Sequence, residues 1–259
     1  MRVFLRSASL AALLLLVPAC GEETVNNTQL GVTQPPAGSL LVLNDENTLF
    51  RISPSNPEET ESVVVITGLG GATLTKIKYN PLTGQLIGLT EDGRFYLVDP
   101  ATGHAGEFFP VAFVLPVTFC FDFHPSTGVI SLQTSDDDRY FVEPTDGSFT
   151  PGNDLTPAGS LIAAAFAPGG TLYGLDITSG TVDLVTISPT SAVAGVGPIL
   201  AAAATADFDI ASNGVAYLVM SPNGSGGMTN LYTLNLGTAV ETLLGSLQPS
   251  SLRSVTVVP

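Results

Sequence analysis

A short apolar strand that ends in a turn recurs along this chain at intervals of about 44 residues. Its copies read Ile77-Lys78-Tyr79-Asn80-Pro81, Phe121-Asp122-Phe123-His124-Pro125, Ala164-Ala165-Phe166-Ala167-Pro168 and Phe208-Asp209-Ile210-Ala211-Ser212. A final copy, Val255-Thr256-Val257-Val258-Pro259, has nothing after it, while the first repeat, beginning near residue 39, lacks this strand. A missing first strand and an orphan last one are what a ring sealed across its two ends requires. Fixed repeats of this length are the mark of arrays in which each unit buries its apolar face against the next.

Within each repeat the same order of strands follows. A second strand reads Leu86-Ile87-Gly88-Leu89, Ile130-Ser131-Leu132, Leu172-Tyr173-Gly174-Leu175 and Ala216-Tyr217-Leu218-Val219. A third follows at Phe95–Val98, Tyr140–Val142, Leu184–Ile187 and Leu231–Leu234, and a less regular fourth completes the unit. Leu40–Leu43 and Leu49–Pro54 match the second and third strands of the first repeat, and Val63–Thr67 supplies a fourth. Short Val, Ile, Leu, Tyr, Phe and Thr runs between Gly, Pro, Asn and Asp turns, with no sustained helical periodicity, define an all-β chain. Four strands per unit of this length make the blade of a β-propeller. The expectation is therefore a five-bladed β-propeller over residues 39–259, closed by Leu252–Val258 pairing into the blade of Leu40–Thr67.

Several of these segments resemble one bacterial family. They are Asn56-Pro57 through Ile66-Thr67-Gly68-Leu69, Tyr79-Asn80-Pro81-Leu82-Thr83-Gly84, Phe95-Tyr96-Leu97-Val98-Asp99-Pro100 and Phe121-Asp122-Phe123-His124-Pro125. Together they resemble the family catalogued as domain of unknown function 4394, in the family's order from about Leu40 to Leu247. The chain departs from it in showing Lys76-Ile77-Lys78 where that family usually has Gly-Ile-Asp, and Val129-Ile130-Ser131-Leu132 where it has an arginine-bearing strand. The resemblance implies a secreted, propeller-like domain and carries no established activity.

Arg2 and Arg6 precede an apolar run, Ala8–Val17, that is too short to span a bilayer as a stable helix. The run ends Val17-Pro18-Ala19-Cys20-Gly21, which resembles a bacterial lipoprotein signal with Cys20 as the lipidated new N-terminus. Residues 1–19 are thus expected to be a signal peptide. Residues 20–38, polar and ending near a Pro-Pro pair, form a disordered tether. The chain is then exported and anchored in the cell envelope through lipid on Cys20, where more than one acyl chain gives stable attachment. With Cys20 modified, Cys120 stands alone in an apolar strand and reads as a small buried hydrophobe.

The formal charge is −15, and without Arg2 and Arg6 six basic residues face 23 acidic ones. Such a surface repels phosphate backbones, which excludes nucleic acid as a partner. In antiparallel blades, successive loops fall on alternate sides of the ring. One side carries repetitive Pro/Gly turns such as Asn80–Gly84 and His124–Gly128. The other carries variable acidic loops, with Asp92, Asp136, Asp137, Asp138 and Asp176. Variable loops on a regular scaffold are where binding surfaces arise. These carboxylates, together with Asp122 and Asp209 of the innermost strands, are the candidate ligand-binding residues. The acidic face suits an envelope protein, a basic peptide or a glycan. No cofactor is expected, although a divalent cation such as calcium fits the acidic loops. A binding or interaction module is the leading reading, and a glycan-acting hydrolase or lyase using channel carboxylates is the alternative. His104 and His124 lie in turns without a second ligand at metal spacing.

Overall fold

The computed structural model describes residues 35–109, 119–134, 136–179, 181–199, 205–221, 228–248 and 251–259. The signal segment, Cys20, most of the tether, the Ala201–Ala204 run and part of the Ser221–Asn230 loop lie outside the described residues. The described residues belong to one compact unit and form twenty strands and no helix.

Those strands make five four-stranded antiparallel sheets. The first blade combines β20 (Leu252–Val257) with β1 (Leu40–Asn44), β2 (Thr48–Ser53) and β3 (Asn56–Val65). The second holds β4 (Leu74–Tyr79), β5 (Leu86–Thr90), β6 (Phe95–Val98) and β7 (Ala105–Glu107). The third holds β8 (Phe119–Phe123), β9 (Ile130–Thr134), β10 (Arg139–Val142) and β11 (Phe149–Pro151). β12 (Leu161–Phe166), β13 (Leu172–Asp176), β14 (Val182–Ile187) and β15 (Val193–Ile199) form the fourth. β16 (Thr205–Ile210), β17 (Ala216–Ser221), β18 (Thr229–Leu234) and β19 (Glu241–Leu247) form the fifth.

The ends meet as the repeat requires. β20 runs antiparallel to β1, with Leu40 opposite Val257, Val42 opposite Val255 and Leu43 opposite Ser254. The innermost strands β4, β8, β12, β16 and β20 each touch the next, and β20 touches β4, so the ring is a five-bladed propeller closed between its first and last strands.

Its core is distributed over the seams between blades. Among the described residues five apolar clusters form, one per seam, including the seam between the last blade and the first. Period-two alternation feeds them: Leu40 and Val42 pack toward the fifth blade, whereas Leu41 and Leu43 pack toward the second. A blade between two neighbours buries both faces, so β1, β5 and β9 are buried along their whole length.

β3 is longer than the sequence suggests. It begins at Asn56 and not at Val63, because Asn56–Ser62 is a polar outermost strand that lies against solvent. Glu58, Glu59 and Glu61 place charge along this exposed edge, which discourages pairing with another chain. The first and second blades are also joined by a parallel bridge between Thr67 and His104. There Gly103 adopts φ of 75°, and an added Cβ would lie 2.2 Å from the Val65 carbonyl oxygen.

Candidate functional site

Alternate positions of the innermost strands form two layers of five residues, whose polar members meet at the channel while Cys120, Ala163 and Ala165 pack in the seam clusters. One layer consists of Lys78, Asp122, Ala165, Asp209 and Thr256, each two residues from its neighbour in the other layer. That second layer consists of Lys76, Cys120, Ala163, Asp207 and Ser254. The intervening residues, such as Ile77, Phe121, Phe208 and Val255, pack into the seams.

An innermost strand has a free edge, and the side chains of the preceding strand satisfy it. Asp207 Oδ2 accepts the Val255 N–H at 2.9 Å, and Asp209 Oδ2 accepts that of Val257 at 2.8 Å. Ser254 Oγ accepts the Ile77 N–H at 3.0 Å, and Thr256 Oγ1 accepts that of Tyr79 at 3.1 Å. Asp122 Oδ2 accepts the Phe166 N–H at 2.6 Å. Hydroxyls link the strands further, as Ser254 Oγ donates to Asp207 Oδ2 and Thr256 Oγ1 donates to Asp209 Oδ2.

Lys76 and Lys78, the only lysines in the chain, both reach from β4 to β16. Lys76 Nζ lies 2.9 Å from Asp207 Oδ1, and Lys78 Nζ lies 3.2 Å from Asp209 Oδ1. Lys78 Nζ also donates to the Phe208 carbonyl at 2.6 Å. Burial opposes its charge, but Asp209, Asp207 and Asp122 outweigh that effect and hold the Lys78 pKa above its ordinary value. The lysines that depart from the Gly-Ile-Asp pattern are thus the counter-ions of this layer.

Three aspartates against two lysines leave one carboxyl in surplus, and it is Asp122. Burial, reinforced by the charge of Asp209, pushes its pKa up to about 7, despite Lys78 and the Phe166 N–H acting in the opposite direction. Only backbone N–H groups, those of Phe166 and Phe123, hydrogen-bond its carboxyl among the described residues. Asp122 and Asp209 line a cavity of about 240 Å³ at one mouth of the channel, framed by the repeated turn prolines Pro81, Pro125, Pro168 and Pro259. The cavity therefore opens among the short turns, opposite the acidic loops.

Of the candidate residues, Asp122 and Asp209 are brought together at the channel mouth, and Asp137 and Asp176 at the Gly159–Ser160 connection. Asp92 lies on the β5–β6 turn, where hydrogen bonds from Arg94 and Thr90 hold its carboxyl below the usual range. Asp136 is exposed, and Asp138 accepts the Tyr140 hydroxyl at 3.1 Å. Asp137 Oδ1 accepts the Gly159 N–H at 2.6 Å, while Asp176 Oδ1 accepts the adjacent Ser160 N–H at 3.0 Å. These two carboxylates hold the connection into β12. Among the described residues no group of three or more His, Cys, Asp or Glu side chains is placed to hold a metal ion. Cys120 is buried, its Sγ 3.6 Å from Gln133 Oε1, and burial pushes its thiol up to about 12. A thiol that remains protonated is a poor nucleophile.

Arg139 escaped the sequence reading. A lone arginine after Asp136-Asp137-Asp138 looks like a solvated loop end, yet it is only 4% exposed. Its guanidinium lies over the Phe141 ring at 4.9 Å and turns into the seam between the third and fourth blades. Alternation gave one available signal: Arg139 precedes an apolar strand by a single position.

Fold and site together define a closed five-bladed propeller with a polar, ion-paired channel. The chain belongs to the family described as domain of unknown function 4394, whose family model matches residues 48–256. No protein with a curated description matches it. Among solved structures, a chain from the nidogen/laminin complex is similar with a TM-score of 0.58 at 9% identity, covering 85% of this chain and 98% of that one. A protein of unknown function from Bacteroides caccae aligns with a TM-score of 0.46 at 9% identity, covering 86% and 99% of the respective chains. A functionally unknown protein from Desulfotomaculum acetoxidans DSM 771 gives 0.44 at 10%, covering 85% and 71%.

Proposed function

We propose that this protein is an exported, lipid-tethered binding module of the bacterial cell envelope that engages a positively charged protein surface through its acidic loop face. One observation carries the choice of a binding module over a hydrolase. Asp207 and Asp209 are each tied to a buried lysine and to a backbone N–H of the next strand, so they serve as scaffold. A paired-carboxylate glycosidase needs two acids free to exchange protons with substrate.

The acidic face has the complementary property. Asp45, Glu46, Glu91, Asp92 and Asp136–Asp138 lie on loops of one side of the ring. The nearby basic groups are already engaged, Arg94 by Asp92 and Arg253 by Glu91 at 3.0 Å. Internal hydrogen bonds preorganise several of these loops, which lowers the ordering cost of binding. The solved structure from the nidogen/laminin complex shares the fold at 9% identity and supports the fold alone. The signal-like segment and Cys20 support export and tethering.

The test compares two variants of residues 21–259 with equal charge change. In one, Asp45, Asp136 and Asp138 become Asn; in the other, Asp99, Asp146 and Glu143, on the turn side, become their amides. Binding to an immobilised lysine-rich peptide, measured across a salt series, falls in the first variant only. Equal loss in both means that net charge acts without a defined face, and the reading fails. Mass spectrometry of the mature protein is expected to show acylated Cys20 at the N-terminus. An unmodified or differently cleaved N-terminus removes the tether.

A further inference from the structure

The seam between the third and fourth blades differs from the other four. Its apolar cluster is the smallest of the five among the described residues, and polar side chains of the third blade take up the remaining space. A cavity of about 280 Å³ lies there, lined by Arg139, His124, Ser131, Phe141, Phe166 and Ile187 among others. Among the described residues no Asp or Glu lines it.

Three side chains bring unpaired donors to this space. Arg139 Nε donates to Ser131 Oγ at 3.1 Å, and Nη1 donates to the Ser188 carbonyl at 2.8 Å. Its Nη2 has no acceptor among the described residues, and Arg139 makes no ion pair with a carboxylate there. Ser131 Oγ already accepts from Gln133 Nε2 at 2.6 Å and from Arg139, so its own proton remains to be given. His124 Nδ1 accepts the Ser126 N–H at 3.3 Å, which leaves the ring proton on Nε2. Burial alone lowers the Arg139 pKa, the signature of a cation removed from water without a counter-ion. A buried guanidinium is costly unless it is paired. In a chain with 23 acidic residues, the absence of a carboxylate here is a specific property of the site.

We propose that this seam is a binding site for a small organic acid, whose carboxylate meets Arg139, Ser131 and His124 and whose apolar body lies against Phe141, Phe166 and Ile187. With Nε on Ser131 and Nη1 on Ser188 and Ser191, Nη2 is the guanidinium nitrogen left to give a carboxylate a charge-assisted hydrogen bond. The apolar walls distinguish an organic acid from inorganic phosphate, which has no group to place on them. A pocket of this kind, mostly apolar with a few convergent polar groups, is the usual form of a small-ligand site. It lies apart from the acidic loops and is independent of the function proposed above.

Benzoate, its neutral isostere benzamide and inorganic phosphate serve as probes of residues 21–259 at matched ionic strength. Benzoate is expected to raise the unfolding temperature saturably and to give a calorimetric binding isotherm, with no comparable effect from benzamide or phosphate. Arg139→Gln removes the benzoate response. Should that variant fold poorly, Thr127→Trp blocks the cavity from an exposed turn position, leaves Arg139 in place, and removes the response equally. Absence of saturable benzoate binding, an equal response to benzamide, stronger binding of phosphate, or a response retained in both variants overturns the proposal.

Discussion

Asp122 makes the channel pH-sensitive, and the size of the effect follows from its position. Its folded pKa is about 7, against an ordinary carboxyl value of 3.8. A group whose pKa rises on folding keeps its proton longer in the native state. Stability is therefore complete below the unfolded value and declines as pH rises toward the folded value. Each pH unit in that window costs about 1.4 kcal/mol, so the whole interval from about pH 4 to 7 amounts to about 4 kcal/mol. Asp122→Asn is the matching perturbation, because the amide oxygen still accepts the Phe166 N–H and cannot ionise. Urea unfolding of both proteins is measured at intervals from pH 4 to 8. The difference between wild type and variant isolates Asp122, since the other carboxylates titrate in both. Wild type is expected to lose stability relative to the variant across the window, with a plateau above it. Parallel profiles would show that Asp122 is ionised without penalty, and the account of a surplus carboxyl fails.

Other consequences of the ring are open to direct measurement. Lys78→Met leaves Asp209 buried without its cation and is expected to cost about 3–5 kcal/mol in chemical denaturation; a change below 1 kcal/mol contradicts the pairing. Deleting residues 251–259 removes β20 and the partners of Asp207 and Asp209, so the product is expected to lose cooperative unfolding and to aggregate; wild-type stability would refute closure. Gly103→Ala must accept both a left-handed backbone, itself worth about 1–2 kcal/mol, and a clash with the Val65 carbonyl, so its unfolding midpoint falls sharply. Cys120 is expected to resist a thiol reagent until the protein unfolds, and prompt labelling of the native state would contradict its burial.

The repeat was readable because turn chemistry and period-two alternation are local properties. Pro81, Pro125 and Pro168 mark equivalent turns, and each is preceded by a strand whose alternate residues are apolar. Closure was readable too, since the missing strand and the orphan strand can be matched without coordinates. The beginning of β3 was not, because Asn56–Ser62 pairs with β2 through its backbone while its side chains remain those of a solvated loop. The pairing of Lys76 and Lys78 with Asp207 and Asp209 was equally out of reach. Those residues are about 130 positions apart and meet across the ring, a relation that no local pattern encodes. Arg139 was missed for the same reason, as its environment is supplied by Ser188 of another blade.

The polar channel also restricts where function can reside. Five innermost strands present backbone edges to a common axis, and a buried edge must find partners or lose stability. Aspartate, serine and threonine at alternate positions supply acceptors to the next strand, which fixes both register and order around the ring. Lysine cannot accept, so β4 contributes no such bond to β8; its two cations instead neutralise the acids of β16. Alanine at 163 and 165 adds no polar atom on β12. A substrate that recruited Asp207 or Asp209 would break bonds that hold β16 to β20 and thereby loosen the closing seam. Asp122 alone among the three makes no ion pair with a lysine among the described residues, and it lines the cavity on the same side of the ring as the short turns. Among the described residues, the loops, the channel mouth at Asp122 and the seam at Arg139 offer polar groups that a ligand can meet without breaking those bonds. The first is acidic and the last is cationic, so opposite salts and opposite charge substitutions separate them.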